Sequence, residues 1–287
     1  VFHQEASGDA VTKNQAICQE NHVNLSFLGI QAELGMPAIG AFLFLSLLLA
    51  TGVGYHIGWR IRPGRPAPGR DLSAVSTLTA GMIGLLTFTL SLSINFAQNR
   101  YETRRQLVLA EANAIGTAWL RTRLIDGDEG PAIAAKIEEY GRARLDFTLA
   151  ASDADVPVLI ARANALLTDI WRIVQVVARR SPTAVTVGLV NALNEMFDDA
   201  ASQQFAYQSG VPEKLMLALY FGALLTMGAL GYQFGLADNR QVVLSSLLLL
   251  MWSGGMLLIV ELSQPRLGDI RVDAGPLVWV VQGFGQK

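Results

Sequence analysis

The chain has 287 residues, 51% of them hydrophobic and only 16% charged, a balance too apolar for an ordinary soluble domain. A net charge of −2 argues against nucleic acid as a partner, and a single cysteine, Cys18, excludes a disulfide framework or a thiolate metal cluster. The three histidines, His3, His22 and His56, are not grouped at ligand spacing. The first residue is Val1 rather than Met, which signal-peptide cleavage and truncation explain equally.

Residues 1–33 are mixed and polar, with weak helical character. Four later segments, 35–58, 72–97, 215–236 and 241–260, lack Asp, Glu, Lys and Arg over a membrane-spanning length. About 20 apolar residues cross the hydrocarbon core as a helix, because only internal hydrogen bonds satisfy the backbone there. Four transmembrane helices are therefore predicted. The first ends at Trp59-Arg60, a pair suited to the headgroup boundary. A linker rich in Pro, Gly and Arg follows, 62–70, and Asp71 and Ser73 are capping candidates for the second span.

The second span runs from an uncharged segment straight into Arg100-Tyr101-Glu102-Thr103-Arg104-Arg105 with no Pro and no turn signal. One rod lying partly in lipid and partly in water is predicted. Residues 98–214 read as a helical soluble domain inserted between spans two and three. Pro131 suits a first helical turn. Ile133, Ile137, Gly141, Leu145 and Leu149 are expected to share a face. Leu159, Ala163, Leu166, Ile170, Ile173 and Val177 have the spacing of a packed amphipathic helix, as do Leu189, Leu193, Met196 and Ala200. Ser181-Pro182 and Gly210-Val211-Pro212 mark helix ends. Spans three and four fill 215–263, and 264–287 reads as a tail in which Ile270-Arg271-Val272 suits a short strand. The fold class is an all-α integral membrane protein.

Arg60, Arg62, Arg65 and Arg70 crowd the linker between spans one and two, which the positive-inside rule places in the cytoplasm. With four spans, both termini and the soluble domain would then lie on the extracytoplasmic side of the plasma membrane. Arg100, Arg104, Arg105 and Lys214 flank the membrane on the opposite side and weigh the other way.

The second span is unusual for a helix that merely faces lipid. Ser73, Thr77, Ala80, Gly84, Thr87, Ser91, Asn95 and Gln98 recur at helical spacing as a stripe of small or polar residues, while Leu85, Leu92 and Phe96 lie largely on the far side. Such a stripe either lines a wet path or lets helices pack closely. No acid or base lies within the core of any span, so a proton relay or charged substrate site is excluded. Glu261, at the end of span four, suits a boundary ion pair with Arg104, Arg105 or Arg271. Arg100, Arg104 and Arg105 either raise the local anion concentration at a vestibule or anchor the helix at the interface.

Glu195, Asp198, Asp199 and Ser202 share a helical face, which reads as a solvated acidic surface rather than a calcium site. Gly54 with Gly58, and Gly231 with Gly235, form small-xxx-small pairs suited to close helix contacts within or between subunits. There is no Gly-rich phosphate cradle, no nucleophile with a plausible histidine and no zinc spacing. The expectation is a non-enzyme with no metal and no cofactor.

The junction residues Arg100-Tyr101-Glu102-Thr103-Arg104-Arg105-Gln106-Leu107-Val108 and Glu111-Ala112-Asn113-Ala114-Ile115-Gly116-Thr117 resemble the bacterial bestrophin-like family, distantly related to bestrophin anion channels. Leu230-Gly231-Tyr232-Gln233, Glu261-Leu262-Ser263-Gln264-Pro265-Arg266 and Ile270-Arg271-Val272 extend the likeness. Arg100, Arg105 and Asn113 fall on matching bestrophin positions, with Tyr101 and Glu102 where bestrophins place two tryptophans. The resemblance implies a pentamer whose second span lines the pore. Counting back from Arg100, its narrow neck falls on Gly84, Phe88 and Leu92. It also implies a cytosolic soluble domain, against the arginine count of the first linker.

The expected function is a homo-oligomeric ion channel in the lipid bilayer, anion-conducting, with Gly84, Phe88 and Leu92 at the constriction. Thr77, Thr87, Ser91 and Asn95 would form the wall and Arg100, Arg104 and Arg105 the vestibule. The alternative is a non-catalytic structural or accessory subunit packed onto a larger membrane complex.

Overall fold

A computed structural model of the chain describes residues 35–61, 73–150, 153–238, 241–266 and 270–284. The N-terminal segment with Cys18, His3 and His22, the arginine linker and Asp71 lie outside the described residues. Eight α-helices occur among the described residues: α1 (Met36–Ile61), α2 (Ser73–Thr122), α3 (Glu129–Leu149), α4 (Val156–Arg180), α5 (Ala184–Gln208), α6 (Glu213–Ala237), α7 (Val242–Ser263) and α8 (Gly275–Gly283). No strand occurs among them, so the all-α class is met. The expected strand at Ile270-Arg271-Val272 is absent. Contacts divide the chain into two compact units, one of residues up to Ala97 with Val211–Ser263, the other of Gln98–Gly210 with the segment from Gln264 onward.

The first unit holds α1, the front of α2, α6 and α7, which supply four segments long and apolar enough to cross a membrane. Its interior is built from Leu43 and Leu47 of α1, Leu86 of α2, Leu219, Ala223 and Met227 of α6, and Leu249, Trp252 and Met256 of α7. Glycine sets how closely α1 and α6 approach. A methyl group on Gly54 would overlap the carbonyl oxygen of Gly228, and one on Gly58 that of Tyr232. From the other side, Gly231 abuts the Thr51 carbonyl and Gly235 the Tyr55 carbonyl. Both glycine pairs therefore serve one parallel interface within the chain, where small residues bring backbone against backbone. In α6 the left-handed Asp238, with φ 54°, ends the helix, its N–H bonding back to Gly235 and Phe234.

The second unit packs the rear of α2 with α3, α4, α5 and α8 around Ile115, Ile133, Ile137, Ile170, Leu189, Leu193 and Met196. The expected stripe of α5 is buried throughout. On α4, Ala163, Leu166, Ile170 and Val177 are buried, while Leu159 and Ile173 are half-buried. The α3 stripe departs from expectation. Leu149 is 58% exposed, and the buried face instead runs Ile133, Ile137, Tyr140, Arg144, Phe147. Steps of four residues drift about 40° each around a helix of 3.6 residues per turn, so four of them carry Leu149 to the far side.

What draws Arg144 inward is Glu111 of α2. The Arg144 Nε donates to Glu111 Oε1 and its Nη2 to Glu111 Oε2 at 3.2 Å, a fork in which the two side chains are 3% and 0% exposed. Arg144 Nη2 also donates to Gln203 Oε1 on α5, and the Tyr140 hydroxyl donates to Glu111 Oε1 at 3.2 Å. Burial opposes the Arg144 charge, but Glu111 together with the nearby Tyr140 and Tyr207 outweighs it, and the guanidinium is held above its usual range. Burial, with Glu111 adding to it, pushes the Tyr140 phenol well above the ordinary tyrosine range.

The C-terminal segment belongs to this same core rather than forming a separate tail. The Arg266 guanidinium lies 5.1 Å from the Phe147 ring centre and 5.2 Å from that of Tyr207. The Tyr101 hydroxyl donates to the Arg271 carbonyl at 3.4 Å. Leu277 is fully buried, and the Phe284 ring sits 5.3 Å from that of Trp119 and directly over Gly141.

Three stability outcomes follow from these contacts. Gly231→Ala forces the α1–α6 backbones apart and is expected to cost about 1–3 kcal/mol, read as a lowered melting temperature in detergent. Glu111→Gln strips the buried Arg144 of its counter-charge, an expected loss of about 3–5 kcal/mol, most of it recovered when Arg144 is replaced by Leu in the same chain. Because the folded Tyr140 holds its proton more tightly than the unfolded chain does, its contribution is full below about pH 10 and lost as pH rises beyond. Melting followed through alkaline pH should show that decline, with a shallower slope for Tyr140→Phe.

Candidate functional site on the second helix

Helix α2 continues for 50 residues, from Ser73 to Thr122, without a proline. Its N-terminal half carries no charged residue before Arg100. Thr79, Leu86, Ser93 and Ala97, spaced by seven, seven and four residues, are the buried positions of that half. Leu86 lies against Gly222 of α6, where an added Cβ would meet Leu86 Cδ1 at 3.6 Å. Leu90 packs in the same way on Gly255 of α7, at 3.0 Å. The glycine on α7 thus admits Leu90, whereas a methyl group at 222 would make only ordinary contact with Leu86.

On the opposite side of the helix, Thr77, Gly84, Thr87, Phe88, Ser91, Leu92 and Asn95 are exposed in the single chain. Phe88 is 62% and Leu92 50% exposed. A Cβ built on Gly84 meets nothing within 4 Å. Every sequence-predicted constriction and wall residue therefore lies on the face that this chain does not use for its own packing. The hydroxyls on the helix are partly committed. Thr87 Oγ1 donates to the Ile83 carbonyl at 2.8 Å and Thr89 Oγ1 to the Leu85 carbonyl at 2.9 Å, leaving oxygen lone pairs to face outward.

The three arginines do not act alike. Arg100 and Arg105 are exposed, and Arg105 Nη1 lies 3.5 Å from Glu102 Oε2 one turn earlier. Arg104 is only 1% exposed, so its side chain does not face an open vestibule in this chain. Burial pushes its guanidinium below the usual arginine range, against the pull of Tyr207. It lies seven residues before Glu111, on the same buried face of α2. Glu261 is half-buried in the last turn of α7. Glu195, Asp198 and Ser202 are exposed and Asp199 half-buried, and no cluster of three or more metal-binding side chains occurs among the described residues. Burial and the neighbouring carboxylates of Glu195, Glu111 and Asp198 hold the Asp199 carboxyl above its usual range.

Sequence reasoning missed the pairing of Glu111 with Arg144 and Gln203, and the seat of Arg266 against the adjoining rings of Phe147 and Tyr207. Glu111 opens the Glu111–Thr117 stretch, where local sequence assigns it no role. The available signal was its place on the buried side of the rod, in phase with Val108, Ala112 and Ile115.

Among curated proteins none matches the chain. Solved structures do share its fold. A point variant of a bacterial bestrophin homolog from Klebsiella pneumoniae matches with a TM-score of 0.61 at 14% identity, covering 85% of this chain and 96% of that one. Another variant of a bestrophin homolog from the same organism gives 0.59 at 15% identity, over 88% of this chain and 96% of that one. A structure described only as a membrane protein gives 0.59 at 17%, over 87% and 94%. At such identities the likeness speaks to the fold alone. The model of the Bestrophin-like domain matches residues 46–277, taking in α2 through α7 and most of α1, and the chain accordingly belongs to the bestrophin-like family.

Proposed function

We propose that the protein is a homo-oligomeric ion channel of the membrane, with the second unit outside the bilayer and α2 lining the path of each copy. The observation that carries this reading is the division of α2 into two faces. One is buried against α6 and α7 through Leu86 and Leu90; the other exposes hydroxyl, amide, glycine and apolar positions in alternation. Against acyl chains alone, the polar positions of that outer face would gain nothing, because hydrocarbon hydrates none of them. Around a shared axis they meet water and ions.

In that arrangement Phe88 and Leu92 narrow the path by dewetting, and Gly84 widens it one turn earlier. Thr77, Thr87, Ser91 and Asn95 form the wall. Arg100 and Arg105 stand at the mouth and raise the local concentration of anions, which favours anion passage. Glu261 forms a boundary ion pair at the end of an otherwise uncharged α7. Cation passage is the second reading, favoured by the Thr87 hydroxyl, whose hydrogen is held by Ile83 and whose lone pairs are the groups left to an ion. The arginine-rich linker supports a cytoplasmic position for the α1–α2 connection.

Planar-bilayer recordings of the purified protein test the proposal. The parent is expected to conduct, Phe88→Ala to raise the single-channel current severalfold, and a salt gradient to give a reversal potential on the anion side. Silence from both proteins would remove the channel reading in favour of an accessory subunit, and a reversal potential of opposite sign would favour cations.

A further inference from the structure

A cleft of about 410 Å³ opens in the first unit among α1, α6 and α7, within the ~300–1,000 Å³ typical of ligand sites. Its lining changes character along α1. Leu48 is apolar and Gly52 bare, whereas Tyr55, His56 and Trp59 bring polar tips on aromatic bodies, and Gln241 and Ser245 of the α7 start join them. From Leu48 to Trp59 the helix rises about 16 Å, at ~1.5 Å per residue. The His56 and Trp59 rings stack at 6.0 Å with planes 26° apart, forming a flat wall at the polar end. Tryptophan at the end of a span sits at headgroup level. Immediately beyond it comes Arg60, exposed, and the sequence continues with Arg62, Arg65 and Arg70.

A second groove between α1 and α6 is larger, about 670 Å³, but Leu49, Val53, Ile57 and Leu224 dominate it, and its Ser46 hydroxyl is turned to the Leu43 carbonyl. It offers little to tell one headgroup from another. The α1–α6–α7 cleft differs because an apolar slot, a polar aromatic wall and a basic helix end succeed one another along one axis. That sequence of chemistries is the sequence within a lipid: acyl chain, interfacial glycerol, charged headgroup.

We propose that this cleft binds one anionic glycerophospholipid per chain, an acyl chain lying along Leu48 and Gly52 and the phosphate end held near His56, Trp59, Gln241 and Arg60. Basic residues at the end of a span attract anionic lipid by about 1 kcal/mol each, close to a fivefold preference. Filling the slot removes the chain's seat, and neutralising Arg60 removes the preference while leaving the seat. Neither change touches the outer face of α2.

Native mass spectrometry of the full chain, released from nanodiscs holding equal phosphatidylglycerol and phosphatidylethanolamine, reads out the retained lipid. The parent should keep phosphatidylglycerol in clear excess. In Gly52→Phe the new ring enters the cleft without a clash at its root, since a Cβ there meets nothing within 4 Å. This variant should lose most of the retained lipid with its melting temperature unchanged. Arg60→Gln should retain lipid but lower the phosphatidylglycerol excess about fivefold. Equal retention of the two lipids by the parent, or undiminished phosphatidylglycerol in a folded Gly52→Phe, would overturn the proposal. If Gly52→Phe does not fold, an unchanged excess in Arg60→Gln overturns it alone. Because the readout is bound lipid and not current, the result stands whether or not the protein conducts.

Discussion

Hydrocarbon gives a polypeptide no partner for its backbone N–H and C=O groups, so each membrane-length segment must close its hydrogen bonds within itself. Helix α2 runs for 50 residues without a proline break, contributing its front to the first unit and its rear to the second. Its unbroken ladder lets one residue period serve two environments. Thr79, Leu86, Ser93 and Ala97 turn toward the apolar helices of the first unit, while Val108, Glu111, Ala112 and Ile115 turn toward the core of the second.

The two units use opposite means to fix their packing. In the first, side chains are removed: Gly54, Gly58, Gly231 and Gly235 let α1 and α6 meet at the main chain, and Gly255 makes room for Leu90. In the second, a charge is buried and then fully engaged. Arg144 reaches Glu111 on α2 and Gln203 on α5, so three helices are joined at one guanidinium. A buried ion pair contributes little to net stability compared with apolar packing, but it costs a great deal to break. Its effect here is to hold the register of α2, α3 and α5. The glycine contacts act alike on the other side of Ala97, and both act without occupying the outer face of α2.

Much of this could be read from residues in order. Charge-free length located the four apolar helices, and the α5 stripe of Leu189, Leu193, Met196 and Ala200 is buried as its spacing implies. The glycine pairs were visible, although only the structure joins them to each other. Elsewhere local pattern misled. A run of four-residue steps placed Leu149 inside, where helical drift carries it out and Arg144 and Phe147 take its place. The burial of Arg104 departs from the vestibule position expected of it, and the partner of Glu111, Arg144, lies 33 residues further along the chain. The nine-residue α8 is too short to show a period, and its Gly275-Pro276 start reads as a breaker, so its docking through Leu277 and Phe284 was not foreseen. The outer face of α2 was legible as a stripe, but what covers it depends on other molecules.

Conduction along α2 requires that this outer face meet water. Cysteine scanning along α2, in a chain with Cys18 replaced by Ser, tests it directly in intact membranes with a charged, membrane-impermeant thiol reagent. Ser91→Cys and Asn95→Cys are expected to react readily, and Ser93→Cys, on the buried face, to resist. Uniform protection of all three, or equal reactivity of Ser93→Cys, would contradict a hydrated path along α2.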